Sequence, residues 1–129
     1  MPGGRLREWE RRLRKVFDRI DAYLEARYGD RYPLRPNRAE HGETANCKYD
    51  GLFEVDGKFT VGIGSEHGSG YTVEVRLATF SPVPARVREQ IMDDVVDILK
   101  QELPKAFPGR ELQVSKEGSM YKIHGDLSL

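Results

Sequence analysis

The sequence predicts a two-layer α+β domain in which two long helices cover one face of a mainly antiparallel, five-stranded sheet. Two stretches with apolar residues at helical spacing predict the helices, and apolar residues alternating with a period of two predict the strands. The predicted element order is α-β-β-β-α-β-β. With 129 residues, of which 38% are hydrophobic, the chain is long enough for one core. We therefore assign residues 1–129 to a single domain.

The first predicted helix spans about residues 5–28. Its apolar side chains recur every three or four positions and form one stripe. They are Leu6, Trp9, Leu13, Val16, Phe17, Ile20 and Leu24. Gly29 and the prolines that follow it predict the end of this helix. Residues 30–46 show neither helical nor strand periodicity, so we predict a long basic loop, a kind of segment that often carries function.

Three strands are predicted between residues 52 and 80. Odd positions are apolar throughout, so one face of the sheet points to the core. The other face, with Glu74 and Arg76, is expected to lie in solvent. Asp56-Gly57 separates two short apolar runs, which is a strong signal for a tight hairpin turn.

The second predicted helix follows residues 81–84 and ends at Pro104. Its apolar face is wider than one sheet needs, which favours a contact with a second copy. A final hairpin pairs residues 111–116 with residues 120–125. The element order is similar to that of the small homodimeric chaperones of bacterial secretion systems, although no final helix is predicted here. This resemblance of topology implies a chaperone-like binding role.

Composition and charge indicate the setting of the protein. The chain has no run of about 18 apolar residues and no apolar stretch near its amino terminus, so we expect a cytoplasmic protein without membrane contact. Its single cysteine, Cys47, agrees with a reducing compartment, and its parity with inward residues predicts a buried structural thiol. Residues 1–38 hold 11 Lys or Arg against 6 Asp or Glu, and residues 39–129 hold 10 against 15. We attribute this asymmetry to attraction within the fold.

Motifs for catalysis or cofactor binding are weak. Residues 62–70 are rich in glycine, but a strand follows them, whereas a phosphate-binding loop requires a helix. The three histidines do not have the spacing of a metal site, so we predict neither a metal nor another cofactor. They are His41, His67 and His124.

The basic loop, the tip of the glycine-rich hairpin loop and the outward sheet face supply the candidate ligand contacts. These are Arg31, Tyr32, Arg35, Arg38, His41, Glu66, His67, Glu74 and Arg76. The leading hypothesis is a non-catalytic binding or adaptor module, homodimeric or bound to another protein. Interleaved arginine and tyrosine make nucleic-acid or nucleotide binding through residues 27–41 the alternative. The second alternative is a small enzyme that uses loop residues, pairing His41 with Glu43 or Glu66 with His67.

Overall fold

The computed structural model describes residues 2–62, 67–117 and 120–126, and the side chains from residue 7 onward within those ranges. It has an α+β fold with the order α-β-β-α-β-β. The helices are α1 (Pro2–Tyr28) and α2 (Ala85–Ala106), and the strands are β1 (Phe53–Thr60), β2 (Gly70–Leu77), β3 (Leu112–Glu117) and β4 (Met120–Gly125). A short 3₁₀ helix, Cys47–Tyr49, precedes β1. In the described part of the chain, neither helix has the length and apolarity needed to cross a membrane.

The four strands form one antiparallel sheet in the order β1-β2-β4-β3. β1 pairs with β2 along its whole length. β2 meets β4 only from Tyr71 to Val73. Beyond Val73, no strand of the described residues lies on the β4 side of β2, so residues 74–77 have an open edge there.

The prediction of five strands was wrong because Asp56 and Gly57 do not form a turn. Both lie within β1, where Gly57 is opposite Val73 of β2 and does not have the positive φ that the hairpin turn requires. A Cβ atom on Gly57 would lie 2.8 Å from the ring of Phe17. Glycine is therefore needed here for the close approach of α1 to the sheet. With two strands before α2 instead of three, the element order no longer matches that of the secretion chaperones.

The core lies between the two helices and the apolar face of the sheet. Its strand residues include Phe53, Val55, Val73 and Ile123, and they form one cluster with the buried stripes of α1 and α2. Among the described side chains, two ion pairs join the helices directly. They are Arg19 with Glu102 at 2.6 Å and Arg27 with Asp94 at 3.4 Å. This pairing of basic α1 with acidic α2 agrees with the internal explanation of the charge asymmetry.

The helix ends follow the predicted signals with one exception. α1 ends at Tyr28, directly before Gly29, and α2 begins directly after Pro84. Pro104 does not end α2, which continues to Ala106. Because Pro104 lies in the last turn of α2, its missing N–H removes one hydrogen bond of the helix, and no further turn follows that it could disrupt.

Candidate functional site

Arg38, one of the predicted ligand contacts, is a structural residue. Its Nε donates to the backbone oxygen of Gly51 at 3.0 Å, and its Nη2 donates to those of Lys48 at 2.9 Å and Asp50 at 3.0 Å. The guanidinium group therefore links the basic loop to the segment that leads into β1. These bonds use much of its donor capacity, which argues against a role in binding an external ligand.

The remaining contacts predicted in the first part of the loop lie nearer the surface. Arg31 is exposed, with its guanidinium carbon 4.8 Å from the centre of the Tyr28 ring. Arg35 is also exposed, and its backbone N–H fixes the loop by donating to the oxygen of Ala78 at 2.9 Å. Tyr32 packs against the edge of the core. Arg31 and Arg35 are therefore the two predicted arginines of the loop whose side chains face solvent.

His41 lies at a buried group of carboxylates that the sequence interpretation missed. One ligand atom from each of Asp21, Glu25 and His41 lies within 4.8 Å of the other two. Asp50 adjoins them, with its Oδ1 atom 3.6 Å from Nδ1 of His41. α1 supplies Asp21 and Glu25, and the loop supplies His41. Asp50 lies between the 3₁₀ helix and β1. We call these four residues the acidic pocket.

The carboxylates of the acidic pocket are partnered unequally. Asp21 is 1% exposed, and neither of its oxygens has a hydrogen-bond partner among the described residues. Asp50 is equally buried, and its Oδ2 accepts bonds from the backbone N–H and hydroxyl of Thr44 at 3.0 and 2.8 Å. Its Oδ1 has no hydrogen-bond partner in the same part of the chain. Glu25 accepts a 2.8 Å bond from the N–H of Phe53.

The pKa values of these acids reflect the cost of burying several carboxylates close together. Burial, followed by the charges of Glu25, Asp50 and Asp18, raises the pKa of Asp21 to about 8. Burial also raises the pKa of Glu25, although the N–H of Phe53 opposes this. Burial acts in the same direction on Asp50, but the hydrogen bonds from Thr44 and Gly42 and the charge of His41 together outweigh it and leave the pKa of Asp50 lowered.

Two glycines make room for the Glu25 carboxylate. A Cβ atom on Gly51 would lie 2.3 Å from its Oε1, and a Cβ atom on Gly29 would lie 2.8 Å from its Oε2. Gly51 also has a φ of +72°, which residues with a side chain rarely adopt. Any larger residue at either position would push the carboxylate out of its place in the acidic pocket.

The sequence held one signal of this pocket. Asp21 lies on the apolar stripe of α1, four residues after Phe17 and four before Glu25. Two like charges at this spacing destabilise a helix by a few tenths of a kcal/mol. A charged residue on a buried stripe without an obvious partner is a known mark of a functional group.

Cys47 borders the acidic pocket and is not on a strand, contrary to the parity argument. It belongs to the 3₁₀ helix, is partly exposed, and its thiol donates to Oδ1 of Asp18 at 3.3 Å. Burial, this hydrogen bond and the charge of Asp21 raise its pKa to about 12. A thiol with so high a pKa is a poor nucleophile, which agrees with a structural role.

The face of the sheet away from the helices is not open along β4, which corrects the expectation that it lies in solvent. His67 stacks on His124 with their rings 4.5 Å apart, and burial, followed by His67, lowers the pKa of His124. Lys122 is 3% exposed, and its Nζ donates to the oxygen of Gly68 at 2.8 Å. His67 and Gly68, in the connection between β1 and β2, therefore cover this face along β4. Glu66, a predicted contact in that connection, lies outside the described residues.

Glu74 and Arg76 lie on the outward face of β2, as predicted, and pair with each other at 3.0 Å. They border a groove of about 410 Å³ between the open edge of β2 and helix α2. The apolar lining of this β2–α2 groove consists of Val73, Val75, Leu77, Ile91, Met92 and Met120. The outward charges and the apolar groove therefore belong to one surface.

Comparison with known proteins identifies the family. A family model described as "Uncharacterised protein" matches residues 4–125. The chain belongs to this family. A protein of Borreliella burgdorferi described as "Uncharacterized protein" is 34% identical over 118 residues, which make up 92% of this chain and 92% of that protein. No solved structure gives a significant match.

Both the acidic pocket and the β2–α2 groove lie within the part of the chain that the family model covers. Those predicted contacts that the structure describes do not converge on one site in this family domain. Arg31 and Arg35 lie on the loop surface, His41 lies at the acidic pocket, His67 lies against β4, and Glu74 and Arg76 border the groove. Two separate surfaces therefore remain as functional candidates.

Proposed function

We propose that this chain is a non-catalytic binding module that takes up an extended segment of a partner protein in the β2–α2 groove. The observation that carries the proposal is the open edge of β2. Residues 74–77 pair with β1 on one side and have no strand beside them on the other in the described part of the chain. Such an edge offers unpaired N–H and C=O groups, to which an added strand can hydrogen-bond.

The walls of the groove suit apolar side chains. Val75 and Leu77 contribute one wall, and Met92 and Met120 contribute flexible side chains that adapt to different shapes. Its volume of about 410 Å³ lies in the range of ordinary ligand pockets. Since side chains alternate along an extended segment, every second residue of the partner would enter the groove.

The charges at the groove define the partner further. Glu74 is already paired, with Arg76 at 3.0 Å and Lys58 at 3.5 Å. Arg88, one turn before Met92 on α2, also lines the groove and has no ion pair among the residues that the structure describes. A carboxylate on the partner would complement this arginine. The expected partner segment therefore combines alternating apolar residues with one acidic residue.

Selection from a displayed library of short peptides tests this proposal. The expected result is enrichment of extended apolar sequences that contain an acidic residue. Met92→Lys should weaken binding of a selected peptide at least tenfold, because it places a charge in the groove. Gln101→Lys is the matched control, since it adds the same charge to the exposed side of the same helix. In backbone NMR spectra, the bound peptide should shift the amide signals of residues 74–77.

Peptides that bind wild type and Met92→Lys equally, or amide shifts that avoid residues 74–77, would contradict the proposal. The second copy of a homodimer is the other candidate occupant, and light scattering distinguishes it. A concentration-dependent dimer that Met92→Lys dissociates and Gln101→Lys does not would identify a second copy in place of a foreign segment.

Nucleic-acid binding is a second candidate, supported by the exposed side chains of Arg31 and Arg35. It is weaker because Arg38 is engaged with backbone carbonyls. Binding of this kind should fall steeply with salt, and the double variant Arg31→Ala, Arg35→Ala should flatten that dependence. Salt-independent binding, or none, would count against it. The third candidate, a small enzyme using loop histidines and glutamates, has only the position of His41 at the acidic pocket in its favour.

A further inference from the structure

We infer that Asp21, Glu25, Asp50 and His41 form a binding site for one divalent transition-metal ion. This site is separate from the β2–α2 groove, and the inference does not depend on the proposed peptide binding. It rests on the convergence of ligand atoms in the acidic pocket, on the unpartnered oxygens of Asp21, and on the chemistry of the donor set.

The first step concerns the position of the ligand atoms. Atoms of Asp21, Glu25 and His41 lie within 4.8 Å of one another, a spacing that a single ion between them can bridge with small side-chain movements. Oδ1 of Asp50 lies 3.6 Å from Nδ1 of His41 but does not belong to this group of three, so its side chain would have to move further to add a fourth ligand. The ligands come from α1, from the loop and from the segment before β1, so an ion would join parts of the chain that are distant in sequence.

The second step concerns the positive charge that the carboxylates of the acidic pocket would require nearby. A carboxylate that is 99% buried without a hydrogen bond is costly, and its neighbours here are other acids. Arg14 is the cation with the clearest influence on Asp21, but it is engaged with Asp18 at 3.0 Å and Asp56 at 3.5 Å. A bound cation would supply both the missing ligand for the Asp21 oxygens and the missing positive charge.

The surrounding residues hold the donors in place. Two hydrogen bonds from Thr44 orient Asp50 and leave its Oδ1 for another partner. Glu25 is positioned by the N–H of Phe53 and by the space at Gly51. Outer contacts of this kind are typical of metal centres, where they fix the ligand geometry. His41 is half-exposed, which leaves the pocket accessible to an ion from solvent.

The donor set indicates the class of ion. Three carboxylates and one imidazole combine hard oxygen ligands with a nitrogen ligand that suits transition metals. Ca²⁺ takes six to eight oxygen ligands, and Mg²⁺ is usually held by oxygen ligands and water, so neither uses the histidine. We therefore expect Mn²⁺ or Zn²⁺ to bind more tightly than Mg²⁺ or Ca²⁺.

Calorimetric titration of the full chain, first freed of metal with a chelator, tests the site. Mn²⁺ or Zn²⁺ should bind with a stoichiometry of one, and at a hundredfold excess over Kd the ion should raise the thermal midpoint by about 10 °C. Asp21→Asn and His41→Ala should each weaken binding by at least about tenfold. His67→Ala is the matched control, because it removes a histidine outside the acidic pocket and should leave the affinity unchanged.

Three results would overturn the inference. They are the absence of saturable binding of either transition ion, a loss of affinity in His67→Ala equal to that in His41→Ala, and wild-type affinity in both Asp21→Asn and His41→Ala. Circular dichroism checks that each variant is folded. If Asp21→Asn is unfolded, His41→Ala decides alone, because its side chain is half-exposed. Met92→Lys should bind the ion normally, so failure of the peptide experiment leaves this test intact.

Discussion

Replacement of Arg38 by alanine should destabilise the protein strongly, although this arginine lies in a loop. The substitution removes four hydrogen bonds to backbone carbonyls, the three shortest of which go to Lys48, Asp50 and Gly51. A hydrogen bond to a charged group contributes about 1.5 to 3 kcal/mol. Arg38 is only partly buried, so water replaces some of the lost bonds. We therefore expect a total loss of about 3 kcal/mol, well below the sum of these bonds.

The expected loss translates into a clear thermal shift. At about 2.1 cal/mol/K per residue, unfolding a chain of this length has an entropy of about 0.27 kcal/mol/K. A loss of 3 kcal/mol should thus lower the thermal midpoint by about 11 °C. Urea denaturation gives the free energy of unfolding directly, and an unchanged slope would show that the unfolded state is not affected.

Arg35→Ala is the control for Arg38→Ala. It removes an exposed arginine from the same loop and should change the free energy of unfolding by less than about 0.5 kcal/mol. Arg38→Lys keeps the positive charge but lacks the planar fork, so it should recover only part of the loss. A midpoint for Arg38→Ala within about 3 °C of wild type would refute the structural role and return this residue to the ligand candidates.

Three further predictions follow from single contacts. Gly57→Ala should lower the free energy of unfolding by about 2 kcal/mol, because the added Cβ atom would lie 2.8 Å from the ring of Phe17. In a double-mutant cycle, Phe17→Leu, which removes the ring, should reduce that loss, and additive effects of the two substitutions would contradict the clash. Tyr28→Phe should cost about 1 to 2 kcal/mol in urea denaturation, because its hydroxyl donates to Asp94; an unchanged stability would contradict this bond. At pH 8, Cys47 should react with iodoacetamide about a thousandfold more slowly in the folded chain than in urea, because folding raises its pKa from 9.0 to about 12. As the pH rises, the thiol of Cys47 loses its proton in the unfolded chain before it does so in the folded chain. The contribution of Cys47 to stability should therefore be present below pH 9 and be lost as the pH rises above 9. Equal alkylation rates in the folded and unfolded chain would contradict both the slow reaction and this pH dependence.

The fold could be predicted where local pattern and tertiary packing agree. The apolar stripes of α1 and α2 are long, so their helical period was decisive, and the final hairpin also formed as predicted. Asp56-Gly57 shows the limit of such reasoning. The same dipeptide serves a hairpin turn or a close approach inside a strand, and the deciding contact is with Phe17, about 40 residues earlier. No local window contains that information.

The candidate sites were harder to predict because side chains act on partners that the fold selects. Arg38 was classed with Arg31 and Arg35 by composition, yet its targets are backbone carbonyls of another segment. The residues at the open edge of β2 were visible as outward charges, but the groove beside them exists only because β4 pairs with β2 no further than Val73.

The role of Asp21 was also hidden from sequence reasoning, because its neighbours are selected by the fold. Asp21 also provides the strongest argument for the inferred ion site. Asparagine has nearly the same shape and would avoid placing a fourth acid near Glu25, Asp50 and Asp18. For the fold alone, an unpartnered buried aspartate therefore has no advantage over asparagine, and the repulsion from its neighbours is a disadvantage. The inferred cation would turn this grouping of acids into a stabilising one by replacing the proton that the raised pKa of Asp21 favours. The aspartate, the space that Gly51 leaves for Glu25 and the orientation of Asp50 by Thr44 are all features that such an ion would use.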